Sequence, residues 1–394
     1  MIRIYNHILK LIKAEWTFRS LDNSDILIYD QVGSESIIPL INKKIDYTIL
    51  STRFEKFNFF IFFTSIINFL RLKINHKDFY KNYLIKFIKV SNPKIIITFI
   101  DNDFFFYSLK KEFPKICFIC IQNGFSANKI NTNDFKKLKK IDYFFCLSEI
   151  FARFYQKNIA ENTHVIGSLK CNEYSKNNFK IKDKKKLIFI SSYNDFKNYK
   201  FFNKQIPHTK FYKPESMLLP IIFSFCLKQK INLSILLKTN KIEKEKNFYL
   251  TILKKQLSLN NHKYLKFYNS NKKKLSYEII KKFNLVTSID SVLGLEAISL
   301  NIKSLFFTIR GINFNNKTFA FGWPQKIKKN GFCWLSSVSK KKVNYILKKN
   351  LNSTFNKWKT EAFENNFKKI IFYDYKNKNT KKLVNDIFIS IIKK

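Results

Sequence analysis

The sequence predicts an α/β protein: two Rossmann-like, doubly wound parallel-sheet domains facing a cleft, followed by C-terminal helices. Three observations carry this. Short, nearly continuous apolar runs rich in Ile, Phe and Val recur along the chain, which is how parallel strands buried on both faces read. Helical periodicity fills the intervals between them. The 394 residues are enough for about two domains, and one polar stretch, 171–186, divides the strand-helix units into two series.

In the first series, strands are expected over 25–30, 47–51, 94–101, 115–122, 143–148 and 163–166, with helices beginning near Ser34, Phe57, Lys77, Asp103 and Glu149. The second series places strands over 187–192, 233–237, 264–267, 285–288 and 304–307, and helices over 215–228, 243–259, 276–282 and 291–300. From Lys340 onward the pattern is two or three amphipathic helices. The division that follows is an acceptor-side domain over 1–170, a linker over 171–186, a nucleotide-sugar domain over 187–340 and terminal helices over 341–394.

Charge and composition narrow the function classes. The chain carries 73 Lys+Arg against 28 Asp+Glu, a formal charge of +45. Abundant Lys, Asn, Ile, Phe and Tyr point to AT-rich codons as one source of that charge. The lysines are spread along the chain and accompany no RNP, zinc-finger or helix-turn-helix pattern, so no nucleic-acid partner is expected. An anionic membrane surface is a plausible partner, since each nearby base contributes about 1 kcal/mol to lipid attraction. The six cysteines follow no secretory signal and are expected to be reduced thiols. Cys117 and Cys120 form a C-x-x-C within a strand, where a spacing of three sends the side chains to opposite faces. The greasy stretch 57–70 is too short to span a bilayer and reads as a buried or amphipathic helix, with an interfacial membrane helix as the alternative. The fingerprints G-x-G-x-x-G, G-x-x-x-x-G-K-[ST] and G-x-S-x-G are absent, which removes the usual support for dehydrogenase, P-loop and α/β-hydrolase readings.

Ligands of open parallel sheets lie beyond the carboxyl ends of the strands, so the loops there are the candidates. In Thr287-Ser-Ile-Asp-Ser-Val-Leu-Gly-Leu-Glu-Ala297 a buried strand turns into a helix whose free N–H groups and dipole suit a phosphate. Ser288, Asp290, Ser291 and Gly294 are its candidate ligands, and Glu296 can accept from ribose hydroxyls; a simple N-cap is the alternative. Asp101, ending the 94–101 strand, is the candidate general base, with Asn102 and Asp103 beside it and Asp30 and Glu35 as runners-up. Asp101-Asn-Asp103 is a D-x-D in letters, but no metal is expected there. Gln122, Asn123 and Gly124 suit a polyol acceptor or a tight turn, and Gly167, Ser168, Lys170 and Asn172 lie beside the hinge. His208 and Arg310 are further donor-side candidates, and Phe319-Ala-Phe-Gly-Trp-Pro324 is an aromatic loop that stacks a base or packs.

The order Asp30-Gln-Val-Gly-Ser34, Thr98-Phe-Ile-Asp-Asn102, Gln122-Asn-Gly124, Gly167-Ser-Leu-Lys-Cys-Asn172, Ser288 to Ala297, Arg310-Gly311 and Phe321-Gly-Trp-Pro324 resembles the bacterial surface carbohydrate biosynthesis proteins. More distantly it is similar to CDP-glycerol glycerophosphotransferases and capsule sugar transferases, in which Gln-His-Gly is common where this chain has Asn123. The resemblance implies a GT-B-like glycosyltransferase that is inverting and metal-independent. It would move a sugar from a nucleotide donor to a surface polysaccharide or glycolipid at the cytoplasmic face of a bacterial inner membrane. It implies no cofactor, the nucleotide sugar being substrate. A nucleotide-sugar 2-epimerase and a polyol phosphate transferase are the enzyme alternatives; a basic membrane or nucleic-acid scaffold is the non-enzyme one.

Overall fold

The computed structural model describes residues 11–72, 79–124, 135–176, 185–201, 204–258, 260–270, 273–314, 324, 328, 330–362 and 371–393. Two six-stranded parallel sheets organise it. The first holds β1 (Ile26–Tyr29), β2 (Tyr47–Leu50), β3 (Ile95–Thr98), β4 (Cys117–Ile121), β5 (Ile141–Cys146) and β6 (Ala160–Val165), in the order β2-β1-β3-β4-β5-β6. The second holds β7 (Leu187–Ile190), β8 (Leu233–Leu237), β9 (Leu265–Asn269), β10 (Leu285–Ser288), β11 (Ser304–Phe307) and β12 (Trp334–Leu335), in the order β9-β8-β7-β10-β11-β12. Each order reverses direction next to its first strand, so each sheet has a switch point where its carboxyl-end loops splay apart.

Period-two alternation explains both cores. In the first sheet Leu27, Tyr29, Ile96, Phe118, Cys120 and Phe144 face one layer of helices. Ile26, Ile28, Ile95, Ile97, Cys117 and Ile119 face the other. Cys117 and Cys120 therefore sit on opposite faces, as their spacing implies, and all six cysteines are free and buried. In the second sheet Leu187, Phe189, Leu233 and Ile235 point to one side, and Ile188, Ile190 and Val286 to the other.

Three features go beyond the sequence reading. A two-residue sixth strand, β12, continues the second sheet and is too short to show a pattern. An antiparallel hairpin pairs Asn198–Phe201 with Lys204–Pro207, and Glu15–Thr17 pairs in parallel with Lys56–Asn58 just before the Phe59–Leu72 helix. The terminal helices also part company. Lys340–Asn352 buries Val343, Ile346 and Leu347 on the second core, whereas Lys378–Ile392 returns to bury Val384, Ile387 and Phe388 on the first. Of the polar linker, residues 177–184 lie outside the described residues, as do 315–323, which include most of the aromatic loop.

Candidate functional site

The carboxyl end of β10 leads into the helix start expected to face a phosphate. Ser291 is the extended N-cap of the Val292–Ser299 helix, and its side chain makes no capping hydrogen bond. The first-turn N–H groups of a helix have no intrahelical partner, so this end keeps donors and the positive pole of the dipole for a ligand. Beneath it the Ser288 hydroxyl is 1% exposed and has no hydrogen-bond partner among the described residues. A buried hydroxyl left unpaired costs about 1–3 kcal/mol. A Cβ placed on Gly124 would lie 3.3 Å from Val292 Cγ2, so the helix start looks across at the loop after β4 of the first sheet.

Gly294 has a different task from phosphate approach. A Cβ there would lie 2.7 Å from Ser288 Oγ and 2.9 Å from the Phe306 ring, so its bare Cα lets the helix close onto β10 and β11.

Asp290 and Arg310, both donor-side candidates, are paired with one another. Arg310 is 1% exposed; its Nε donates to Asp290 at 2.5 Å, and its other nitrogens donate to Glu215, to Ser192 at 3.1 Å and to the Phe211 carbonyl at 2.5 Å. The guanidinium lies 4.2 Å from the Phe211 ring centroid. Burial opposes its charge, but Asp290 and Glu215 overcome that and hold Arg310 above its ordinary value. Burial pushes the Glu215 carboxyl up while Arg310 pulls it back. The cluster anchors the loop that leads into the helix.

Glu296 is likewise paired within the protein. It is 7% exposed, and its two oxygens accept from Ser168 and from the Tyr277 hydroxyl, the latter at 2.9 Å. Burial raises its pKa, with the two hydrogen bonds acting against that. The carboxylate ties the helix to the hinge through these two hydrogen bonds.

At the hinge, Gly167 has φ 73°, and a Cβ there would lie 2.3 Å from the Phe372 carbonyl oxygen. Ser168 caps Leu169–Asn172. Asn172 donates to the Ile166 carbonyl at 2.9 Å and to Asn377 at 2.8 Å, and accepts from the Asp374 N–H. Asn172 is thus a hinge residue and not an acceptor ligand. Lys170 lies 4.7 Å over the Phe99 ring and donates to Asn123 at 3.3 Å.

The first-sheet candidates divide by exposure. Gln122 is buried, donating to the Gly124 carbonyl and accepting from the Leu147 N–H, both at 2.9 Å, so it shapes its loop instead of binding acceptor. Asn123 and Asn102 are exposed. Asp101 is 2% exposed; its carbonyl accepts from the Tyr107 hydroxyl at 2.8 Å, and its charge acts on buried Tyr107, Cys120 and Tyr155. It is thus enclosed at the end of β3, where the sequence placed a candidate base. Asp30 adopts a left-handed φ of 83°, and its carboxylate is engaged by the Val32 N–H at 2.7 Å, Thr52 at 2.7 Å and Arg53 at 2.9 Å. It holds two loops together. Asp103 caps the Phe104–Glu112 helix and accepts from Tyr29 at 2.9 Å. Glu35 is exposed and lines a cavity of about 250 Å³ at the hinge, with Lys170, Glu173, Tyr277 and Lys381. His208 packs edge-on to Tyr193 and Phe248, each at 5.7 Å, and burial lowers its pKa.

Ser192, Glu215, Tyr277, Asp374 and Asn377 support the site and escaped sequence reasoning. Each acts through a partner distant in the chain, for which no local pattern exists. Among the described residues no group of three or more His, Cys, Asp or Glu could hold a metal.

A protein-family model described as "putative O-antigen biosynthesis protein" matches residues 119–387. No curated protein sequence matches the chain. Among solved structures, MnaA of S. aureus in complex with UDP is 11% identical, with 94% of this chain and 97% of that chain covered and a TM-score of 0.55. The UDP-GlcNAc 2-epimerase of Neisseria meningitidis bound to UDP-GlcNAc is 12% identical, with 93% and 99% covered and a TM-score of 0.52. That of Methanocaldococcus jannaschii in complex with UDP-GlcNAc and UDP is 11% identical, with 92% and 99% covered and a TM-score of 0.51. At such identities the likeness is one of fold, the GT-B-like pairing of two parallel-sheet domains already visible in the strand orders. The family match reaches further, from β4 through the hinge and the whole second sheet to the returning helix, and by it the chain belongs to the O-antigen biosynthesis protein family.

Proposed function

We propose that the protein is a glycosyltransferase that moves a sugar from a nucleotide-activated donor to a surface polysaccharide or glycolipid acceptor, by an inverting, metal-independent route, at the cytoplasmic face of the inner membrane. The observation that carries this reading is the uncapped helix start at Ser291 above the unpaired Ser288 hydroxyl, turned toward the opposite sheet. The first-turn N–H groups and Ser291 receive the donor phosphates, and Asp290, Arg310 and Glu215 position that loop. Stabilising the departing phosphate with preorganised dipoles lowers the barrier to glycosyl transfer. Of the three candidate carboxylates only Glu35 is exposed, on the cavity between the first sheet and Tyr277, and it is the base we assign to the acceptor hydroxyl.

Calorimetry with a panel of nucleotides and nucleotide sugars tests the donor site. One of them should bind, and Ser291→Asp, which places a negative charge where the phosphate belongs, should weaken it by about tenfold or more. Unchanged affinity rejects the site. UDP-GlcNAc 2-epimerases share this fold, so the donor is also incubated alone: consumption without acceptor identifies an epimerase, and slow hydrolysis alone supports a transferase.

A further inference from the structure

The outer edge of the first core is aromatic. Trp16 stacks on Phe57 at 5.3 Å and meets Phe62 edge-on at 5.0 Å. Over this layer lies a second one that faces solvent. Phe59, Phe60 and Phe63 stand on one side of the Phe59–Leu72 helix, at 39%, 52% and 54% exposure, and Phe18, 64% exposed, leans on Phe59 at 5.1 Å. Phe59 and Phe63 stack at 6.2 Å, one helical turn apart. Ile12, 72% exposed, adjoins Leu11, whose carbonyl accepts from the Trp16 indole. A contiguous exposed cluster of this kind marks an interaction surface, unlike scattered single side chains.

Bases flank the rings, Arg53 among them paired with Asp30 and Lys56 with Glu15, and Glu55 is an exposed acid beside them. Helix 59–72 contains no acid. Exposed Lys13, Arg19 and Arg53 flank it in the preceding segments. Of the acids nearby, Glu15 is taken by Lys56 at 2.7 Å, and Glu55 accepts from the Arg53 backbone N–H at 2.9 Å. Rings at the headgroup boundary with bases beside lipid phosphates is how an amphipathic helix lies in a membrane interface. Among the described residues no helix is long and apolar enough to cross a membrane.

We propose that this face, Phe18, Phe59, Phe60 and Phe63 rimmed by Lys13, Arg19 and Arg53, docks the protein onto an anionic phospholipid bilayer. The helix follows the carboxyl end of β2, where Thr52 and Arg53 hold Asp30, so docking sets the cleft-bearing edge of the first sheet against the membrane. The surface deepens the membrane-face part of the function proposed above yet shares no residue with the donor loop, so either can fail without the other.

Flotation of the full chain with vesicles tests it, using phosphatidylcholine alone and equal parts phosphatidylcholine and phosphatidylglycerol. The protein should float with the anionic vesicles, less so as salt is raised, and remain behind with the neutral ones. Phe60→Ser combined with Phe63→Ser should lower the partition coefficient by roughly tenfold or more at unchanged thermal unfolding. Tyr345→Ser, removing an equally exposed ring on a helix of the second core, should leave it unchanged. Three outcomes overturn the proposal: no flotation with anionic vesicles, flotation of the double variant equal to wild type, or an equal loss in Tyr345→Ser. Competition by single-stranded DNA that persists in the double variant would assign the binding to general polyanion attraction and overturn it as well.

Discussion

Arg310 shows how one residue can look like a ligand and act as a keystone. Two carboxylates, a hydroxyl and a carbonyl surround it, so removing it strands Glu215 in the interior and takes the counter-charge from Asp290. Arg310→Met should cost about 3–5 kcal/mol, read from urea unfolding. Losing the well-exposed Glu243 from its pair with Lys246 should be near neutral by comparison. Glu296 supplies a pH signature. Its folded pKa is raised, so between the ordinary value of 4.5 and that raised value the folded state binds more protons than the unfolded one. Stability must therefore fall as pH rises through that window. In Glu296→Gln this part of the slope should vanish, and the variant should gain stability relative to wild type on the alkaline side of the window. Urea midpoints measured across pH check both statements.

The Val292–Ser299 helix is the element on which the proposed donor recognition depends, and its position is set by packing as much as by its open end. The bare Cα of Gly294 brings it within contact of Ser288 and Phe306. Gly294→Ala overpacks that contact, with an expected cost of about 1–3 kcal/mol. It should also weaken nucleotide binding, since the helix start must back away from the Ser288 hydroxyl. Unchanged stability together with unchanged affinity would show that the helix is not so constrained. The sequence showed this helix well, because a buried strand, a polar turn and an apolar helical run are all local patterns. The Ser291 cap is also local. That Glu296 turns away to Ser168 is not, for those residues lie 128 positions apart.

The whole molecule is closed by its own end. After the second sheet the chain passes the hinge, where Asn377 donates to the Leu169 carbonyl at 3.0 Å, and its last helix covers the first core. Phe388→Ala should cost about 3–5 kcal/mol and report on unfolding of the first sheet, although its position in sequence follows the second. A probe confined to the second sheet that alone responded would contradict this. The two sheets, their parallel character and most strand positions were legible from the sequence by itself, because doubly buried strands must be apolar along their length and helices must repeat every 3.6 residues. Only the tertiary structure decided which polar side chains face the cleft. Asp30, Asp101, Gln122, Glu296 and Arg310 carry the right chemistry at the right loops, yet each buried charge or amide must find partners, and those partners come from segments far apart in the chain. Local sequence records a residue's chemistry; the partner that claims it is fixed only when distant segments meet.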